Sequence, residues 1–138
     1  MSRVPRVAGS QRRAPMSVLD YLCRAAHRPV CLKGNNMLEL RPNCEYCDKD
    51  LPVTAADAMI CTYECTYCRD CVETHLHNVC PNCGGGFVPR PIRPKTAHRE
   101  GVSLAHQPAS TRRVHLKQDK AALPDFVASL ENSDPKDR

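Results

Sequence analysis

Residues 44–83 read CEYCDKDLPVTAADAMICTYECTYCRDCVETHLHNVCPNC, and the spacing of the eight cysteines in this stretch decides the fold. The order is Cys44-x2-Cys47-x13-Cys61-x3-Cys65-x2-Cys68-x2-Cys71-x8-Cys80-x2-Cys83. Eight of the ten cysteines of the chain thus fall in a 40-residue window. Such density has two physical explanations, a disulfide framework in an oxidising compartment or thiolate ligation of metal in a reducing one. Three pairs, 44/47, 68/71 and 80/83, have the CxxC spacing of a tight knuckle, and 61/65 is a wider fourth. A knuckle points two thiolates to one side, where they share a tetrahedral ion at about 2.3 Å, and four knuckles make two sites of four sulfurs. The spacing therefore favours zinc, two ions, over disulfides. Pro81 fixes φ in the last knuckle, and Gly84 permits the positive φ that its turn needs. The pairs alone leave the sharing open. Sequential pairing joins 44/47 with 61/65 and 68/71 with 80/83; interleaved pairing joins the first with the third and the second with the fourth.

Outward from this stretch, residues 37–91 form the candidate zinc-binding module. Their apolar stock is Leu38, Leu40, Leu51, Val53, Met59, Ile60, Val72, Leu76, Val79, Phe87 and Val88, too little for 55 residues to fold by burial alone. Bound metal is expected to supply the missing stability, so that folding depends on it. The whole chain has 138 residues, no Trp, 2 Phe, 4 Tyr and 12 Pro, a poor stock for one large core.

The flanks differ from the module in charge. Residues 1–36 carry seven Lys/Arg against one Asp, net +6; residues 37–91 carry four against eight acids, net −4; residues 92–138 carry nine against six, net +3, giving the total of +5. Residues 1–36 read as a basic disordered extension with a short helix over 18–27 capped by Ser17, ended by Pro29 and Gly34. The abrupt change at Met37 suggests that it is the natural start and that residues 1–36 are an upstream extension. Residues 92–138 read as a Pro-rich strap and a mostly disordered tail. Leu123, Phe126, Val127 and Leu130 fall at i, i+3, i+4 and i+7, with Pro124 in the first turn, which predicts a short amphipathic helix over 124–131. Alone in water such a helix is marginal, and its stripe suits a partner's groove.

The order of the eight ligands, the short link between the fourth and fifth, and the CPxC ending resemble the RING-type cross-brace. That resemblance implies a small zinc-stabilised fold with a short β-hairpin and one short helix over Val72–Asn78. It also implies interleaved sites: Cys44, Cys47, Cys68 and Cys71 on one zinc, and Cys61, Cys65, Cys80 and Cys83 on the other. Over about residues 37–116, MLELRPNCEYCDKDLP, CTYECTYCRDC and CPNCGGGFVPRPIRP are similar to a small, mostly bacterial family of cysteine-rich proteins catalogued as a domain of unknown function, the 1272 type. This likeness implies a fold and no activity. Of the contacts by which RING ligases engage a conjugating enzyme, only Pro81 matches. Tyr46 replaces an aliphatic residue, Thr74 and His75 stand where a bulky residue is usual in the helix, and Gly84 replaces a basic one, so ubiquitin-ligase activity is not expected.

Enzyme chemistry finds little support elsewhere. Two sites closed by four thiolates leave no position for a catalytic water. The zinc-deaminase pattern of His-x-Glu before Pro-Cys-x-x-Cys is missing, Gly84–Gly86 lacks the Lys-Ser/Thr of a phosphate loop, and no thioredoxin-like βαβ unit surrounds the cysteines. His75 and His77 read as surface residues, since eight cysteines already fill two tetrahedra, and Cys23 and Cys31 read as incidental free thiols. No apolar run approaches the ~18 residues that cross a bilayer, and the first 20 residues lack a signal-peptide core. The sequence therefore reads as a cytoplasmic, non-enzymatic zinc protein without a membrane role, most simply an adaptor for a protein partner. Two alternatives stay open: a nucleic-acid-binding zinc protein using its basic arms, and a thiol-based zinc or redox sensor.

Overall fold

The computed structural model describes residues 37–138. The expectations for residues 1–36, including the Ser17-capped helix, the upstream extension, Cys23 and Cys31, lie outside these residues. Three short strands form an antiparallel sheet in the order β2-β1-β3: β1 over Ala58–Ile60, β2 over Thr66–Cys68 and β3 over Val88–Pro89. Strands β1 and β2 make the expected hairpin, with Ala58 opposite Cys68 and Ile60 opposite Thr66. Its turn carries Cys61 and Cys65, so the sheet register fixes the entry to one cysteine pair.

Helix α1 spans Arg69–Thr74 and begins directly after β2, three residues earlier than Val72–Asn78. Two features move it. The Arg69 N–H donates to Asp57 O, which ties the helix start to the hairpin, and Asp70 places a carboxylate at the positive end of the first turn. His77 and Asn78 then take φ of 42° and 61°, which a helix cannot continue through. Cys71 consequently rides on the helix.

The core is small. Leu51, Tyr67, Val72, Leu76 and Phe87 are buried together with six of the cysteines, and the Tyr67 and Phe87 rings meet edge to face at 5.3 Å. Tyr67, fully buried, was not counted in the apolar stock; Val88, which was, is 60% exposed on the edge strand β3. Arg90 is buried as well, and its guanidinium donates to the carbonyls of Arg41, Leu51 and Pro52. Burial pushes its pKa below the usual arginine value, with the Asp57 charge opposing, and the three carbonyls satisfy the fork without a carboxylate in contact.

Residues 92–138 differ from the expected disordered tail: they lie along the module. Arg93 donates to Leu38 O and Gln107 O, and Ser110 N–H to Leu40 O. Asn43 acts as a piece of strand, its side chain donating to Val114 O at 2.8 Å and accepting from Val114 N–H at 3.1 Å. Leu116 N–H donates to Glu45 O, and Arg113 forks onto Asp48 and Asp50. The expected helix is present as α2, over Leu123–Leu130, one residue earlier than predicted. Its Leu123 and Val127 are buried against this chain's own module rather than offered to a partner. A 3-10 turn over Pro135–Asp137 follows. These contacts are polar, which hydropathy does not register. No helix among the described residues is long and apolar enough to cross a membrane.

Because Asn43 is fully buried and its amide holds both polar groups of Val114, Asn43→Ala is expected to free the 112–116 segment. Hydrogen exchange at the Val114 and Leu116 amides should accelerate by tenfold or more while the amides of β1 stay protected. Unchanged protection at Val114 would contradict this assignment of the strap.

Candidate metal centre

Two of the knuckles are built alike. In Cys44-Glu45-Tyr46-Cys47, Asp48 N–H donates to Cys44 O at 2.9 Å and Cys44 N–H to Lys49 O at 2.9 Å; in Cys80-Pro81-Asn82-Cys83, Gly84 N–H donates to Cys80 O at 2.7 Å and Cys80 N–H to Gly85 O at 2.8 Å. The turn requires a left-handed residue after the second cysteine. Gly84 provides it at φ 74°, as expected, and Asp48 provides it at φ 63° without being glycine. Asp48 is held there by Arg113 and Asn43 on its carboxylate, a short polar side chain being among those that tolerate this region. The wider pair closes differently: Glu64 N–H donates to Cys61 O, with Glu64 at φ 63°, and Tyr63 N–H points at Cys61 Sγ at 3.3 Å.

These elements bring the sulfurs into two groups. Those of Cys44, Cys47, Cys68 and Cys71 lie within 4.8 Å of one another, and so do those of Cys61, Cys65 and Cys80. The grouping runs crosswise: each group takes pairs that alternate along the chain. Cys83 follows Cys80 in a knuckle like that of Cys44 and Cys47, yet it is exposed and outside the 4.8 Å group. All eight cysteines of the module are free thiols. Cys47 Sγ and Cys68 Sγ are 3.8 Å apart, nearly twice a disulfide bond and about the edge of a sulfur tetrahedron drawn around an ion at about 2.3 Å. An all-sulfur tetrahedral donor set suits soft or borderline ions such as zinc or iron and not hard oxygen-seeking cations. The first group therefore fits a bound metal as it stands; the second supplies three sulfurs in place and a fourth on a flanking turn.

Electrostatics make the same point. In the first group burial pushes the Cys44 thiol up to about 11, and burial with the neighbouring Cys68 thiol pushes Cys71 up as well. Burial also opposes ionisation of Cys47, but the Lys49 N–H and the Cys44 and Cys71 thiols outweigh it and hold Cys47 below its usual value. In the second group the Cys65 and Cys80 thiols pull Cys61 down to about 3, while hydrogen bonding with Cys61 and Cys65 pushes Cys80 up. Several thiolates at this separation would repel one another unless a cation lay between them.

His75 and His77 are exposed and belong to neither group. The His75 ring stacks on Tyr46 at 4.7 Å, with Lys120 over the other ring system at 4.5 Å from the Tyr46 centroid. Two residues inside the knuckles have supporting roles that the cysteine spacing did not reveal. Glu45, buried, accepts from Thr66 N–H at 2.9 Å and from Arg41, locking the first knuckle to β2. Asn82 directs its amide toward Cys65 Sγ at 3.3 Å, Glu45 Oε2 at 3.4 Å and Tyr67 Oη at 3.4 Å. It thereby ties the last knuckle to the second cysteine pair. An acid and an amide between paired cysteines were the available signals.

A family model described as a protein of unknown function (DUF1272) matches residues 37–93. An uncharacterized protein of Rhizobium meliloti (strain 1021) is 58% identical over 78 residues, which covers 56% of this chain and 86% of the relative. No solved structure matches the chain.

Glu45 Oε1 accepts from both Thr66 N–H and Arg41, and Oε2 from the Asn82 amide. An amide that keeps its oxygen toward Thr66 therefore sets its NH2 against that of Asn82 and strips the charge from the Arg41 pair. Glu45→Gln is expected to lower stability by about 1–3 kcal/mol, read by denaturant unfolding of the metal-loaded chain. An unchanged midpoint and slope would contradict the proposed lock.

Proposed function

Because the chain belongs to the DUF1272 family of proteins of unknown function, we propose a role read from its own geometry. The protein is a non-enzymatic zinc protein with a RING-like cross-brace, and it serves as an adaptor for a protein partner in a reducing, cytoplasmic setting. One zinc is held by Cys44, Cys47, Cys68 and Cys71, and the other by Cys61, Cys65, Cys80 and Cys83. The observation that carries the metal assignment is the crosswise gathering of sulfurs within 4.8 Å, with a 3.8 Å tetrahedral edge. When bound, each structural zinc supplies on the order of 10–16 kcal/mol of apparent binding free energy at neutral pH. The chain's own contribution is to pre-aim the sulfurs: β1 and β2 set Cys61, Cys65 and Cys68, α1 sets Cys71, and the two like knuckles set the rest.

The adaptor reading follows from what this arrangement leaves for chemistry. Four thiolates close each site, so no coordination position remains for substrate or water. The chain meanwhile exposes Tyr63, Val88 and Ile92 at 73%, 60% and 56%, apolar surface of the kind that partners cover. Among the described residues the nucleic-acid alternative draws less support, because Arg112 and Arg113 are paired with Glu39, Asp48 and Asp50, and Arg93 and Arg138 are bonded to carbonyls.

The purified chain is expected to hold two zinc per molecule. Two thiols, Cys23 and Cys31, should react with a thiol reagent before chelation and all ten after it, with circular dichroism showing loss of structure over the same titration. A metal-free chain that remains cooperatively folded would overturn the reading. Cys68→Ser should retain at most one tightly bound zinc and unfold beyond its local turn; two ions and unchanged stability would refute the assignment. For the alternative, a salt-dependent gel shift with the full chain would favour nucleic acid over a protein partner.

A further inference from the structure

The stretch that carries Cys80 and Cys83 is gripped by the end of the chain. A side chain added at Gly84 would meet Leu130 Cδ1 at 3.2 Å and Phe126 Cζ at 3.9 Å, and one at Gly86 would meet Pro135 Cγ at 2.9 Å. The two glycines are thus the floor on which α2 and the 3-10 turn rest. Arg138 donates to Asn78 O at 2.8 Å and Gly84 O at 3.3 Å, and its Nε donates to Ser133 O at 3.0 Å, bracing the turn. His77 Nδ1 and Glu131 Oε2 meet at 2.5 Å on the near side. Residues 77–86 are therefore contacted from Phe126 through Arg138. Within that grip lies Cys83, the one module cysteine outside both sulfur groups. Cys47, its counterpart in the like knuckle, is also exposed but already stands with its three partners, and its knuckle is held by residues 113–116 instead.

We propose that residues Phe126–Arg138 are a clasp on the second metal site: Leu130, Pro135 and Arg138 are positioning residues that hold Gly84–Gly86 and so keep the Cys83 turn beside Cys61, Cys65 and Cys80, within reach of an ion there. The clasp rests on the two-zinc reading. It makes the two sites unequal. The first is braced by the module and by residues 113–116, whereas the second closes only while Phe126–Arg138 are seated, so metal leaves the second site first and at a rate set by the end of the chain. The order Cys83-Gly84-Gly85-Gly86 suits this, since the three glycines give the turn freedom once the floor contacts are lost.

The test uses the full-length, zinc-loaded chain and transfer of zinc to a chromophoric chelator followed in time. The wild-type chain should release one equivalent faster than the other. Leu130→Asp, which places a carboxylate against Gly84, should speed the fast equivalent at least tenfold and leave the slow one within twofold. Arg138→Ala, a milder change at a half-buried residue, should speed the same phase by a few fold and keeps the test open should the first variant fold poorly. In parallel, alkylation by iodoacetamide, located by peptide mass spectrometry, should rise at Cys83 and not at Cys47. Two equivalents bound with release unchanged in both variants, or both phases accelerated alike, would overturn the clasp while sparing the zinc assignment. Fewer than two equivalents on the wild-type chain would overturn the zinc assignment, and the clasp with it.

Discussion

Sulfur atoms gathered within 4.8 Å of one another, most of them buried, are the constraint on which everything else here depends. Neutral thiols tolerate such a place, but several thiolates this close together need a cation between them. Among the described residues there is no large apolar core to take its place. Leu51, Tyr67, Val72, Leu76 and Phe87 pack among the cysteines themselves, so the sulfur groups and the core are one body. The hairpin turn, the helix start and both like knuckles can each be understood as a way of delivering two sulfurs from backbone that is already hydrogen-bonded. In the proposed reading, the cations join segments distant in sequence much as a larger core would.

Around this centre, polar straps replace apolar contacts. Arg90 spans three carbonyls from inside the module, and Arg93, Asn43 and Arg113 fix the segments that follow. Each uses a side chain to satisfy backbone groups or carboxylates that would otherwise face water or be buried unpaired. Individually, exposed pairs such as Arg113–Asp48 add little. Their effect is directional: they fix the path of residues 92–116 past the first knuckle and deliver α2 to the second. Leu123 and Val127 of the α2 stripe are consequently spent within the chain, while Phe126 stays exposed, as do Tyr63, Val88, Ile92 and Val102.

How much of this was legible depended on whether a residue's role was local. The cysteine pairs were, because CxxC spacing encodes a turn directly; so were the hairpin and the positive φ at Gly84. Asp48 does the same work as Gly84 but gave no sign of it, since its left-handed backbone is held by partners 65 residues away at Arg113 and 5 residues away at Asn43. Helix α1 was placed three residues late because its start is set by the hydrogen bond to Asp57 rather than by a capping side chain. Tyr67 escaped the core inventory, and Glu45 and Asn82 escaped the site, because polar atoms disguise burial. The tail was misread for the same reason in reverse: a segment rich in Arg, Ser and Pro looks solvated until its carbonyl and carboxylate partners are known.

Cadmium in place of zinc allows the central idea to be read atom by atom. The chain loaded with cadmium-113 should give two metal resonances in the all-sulfur range. One should couple to the β-protons of Cys44, Cys47, Cys68 and Cys71, and the other to those of Cys61, Cys65, Cys80 and Cys83. A single resonance, or couplings that join Cys44 and Cys47 to Cys61 and Cys65, would contradict a fold gripped crosswise by two ions.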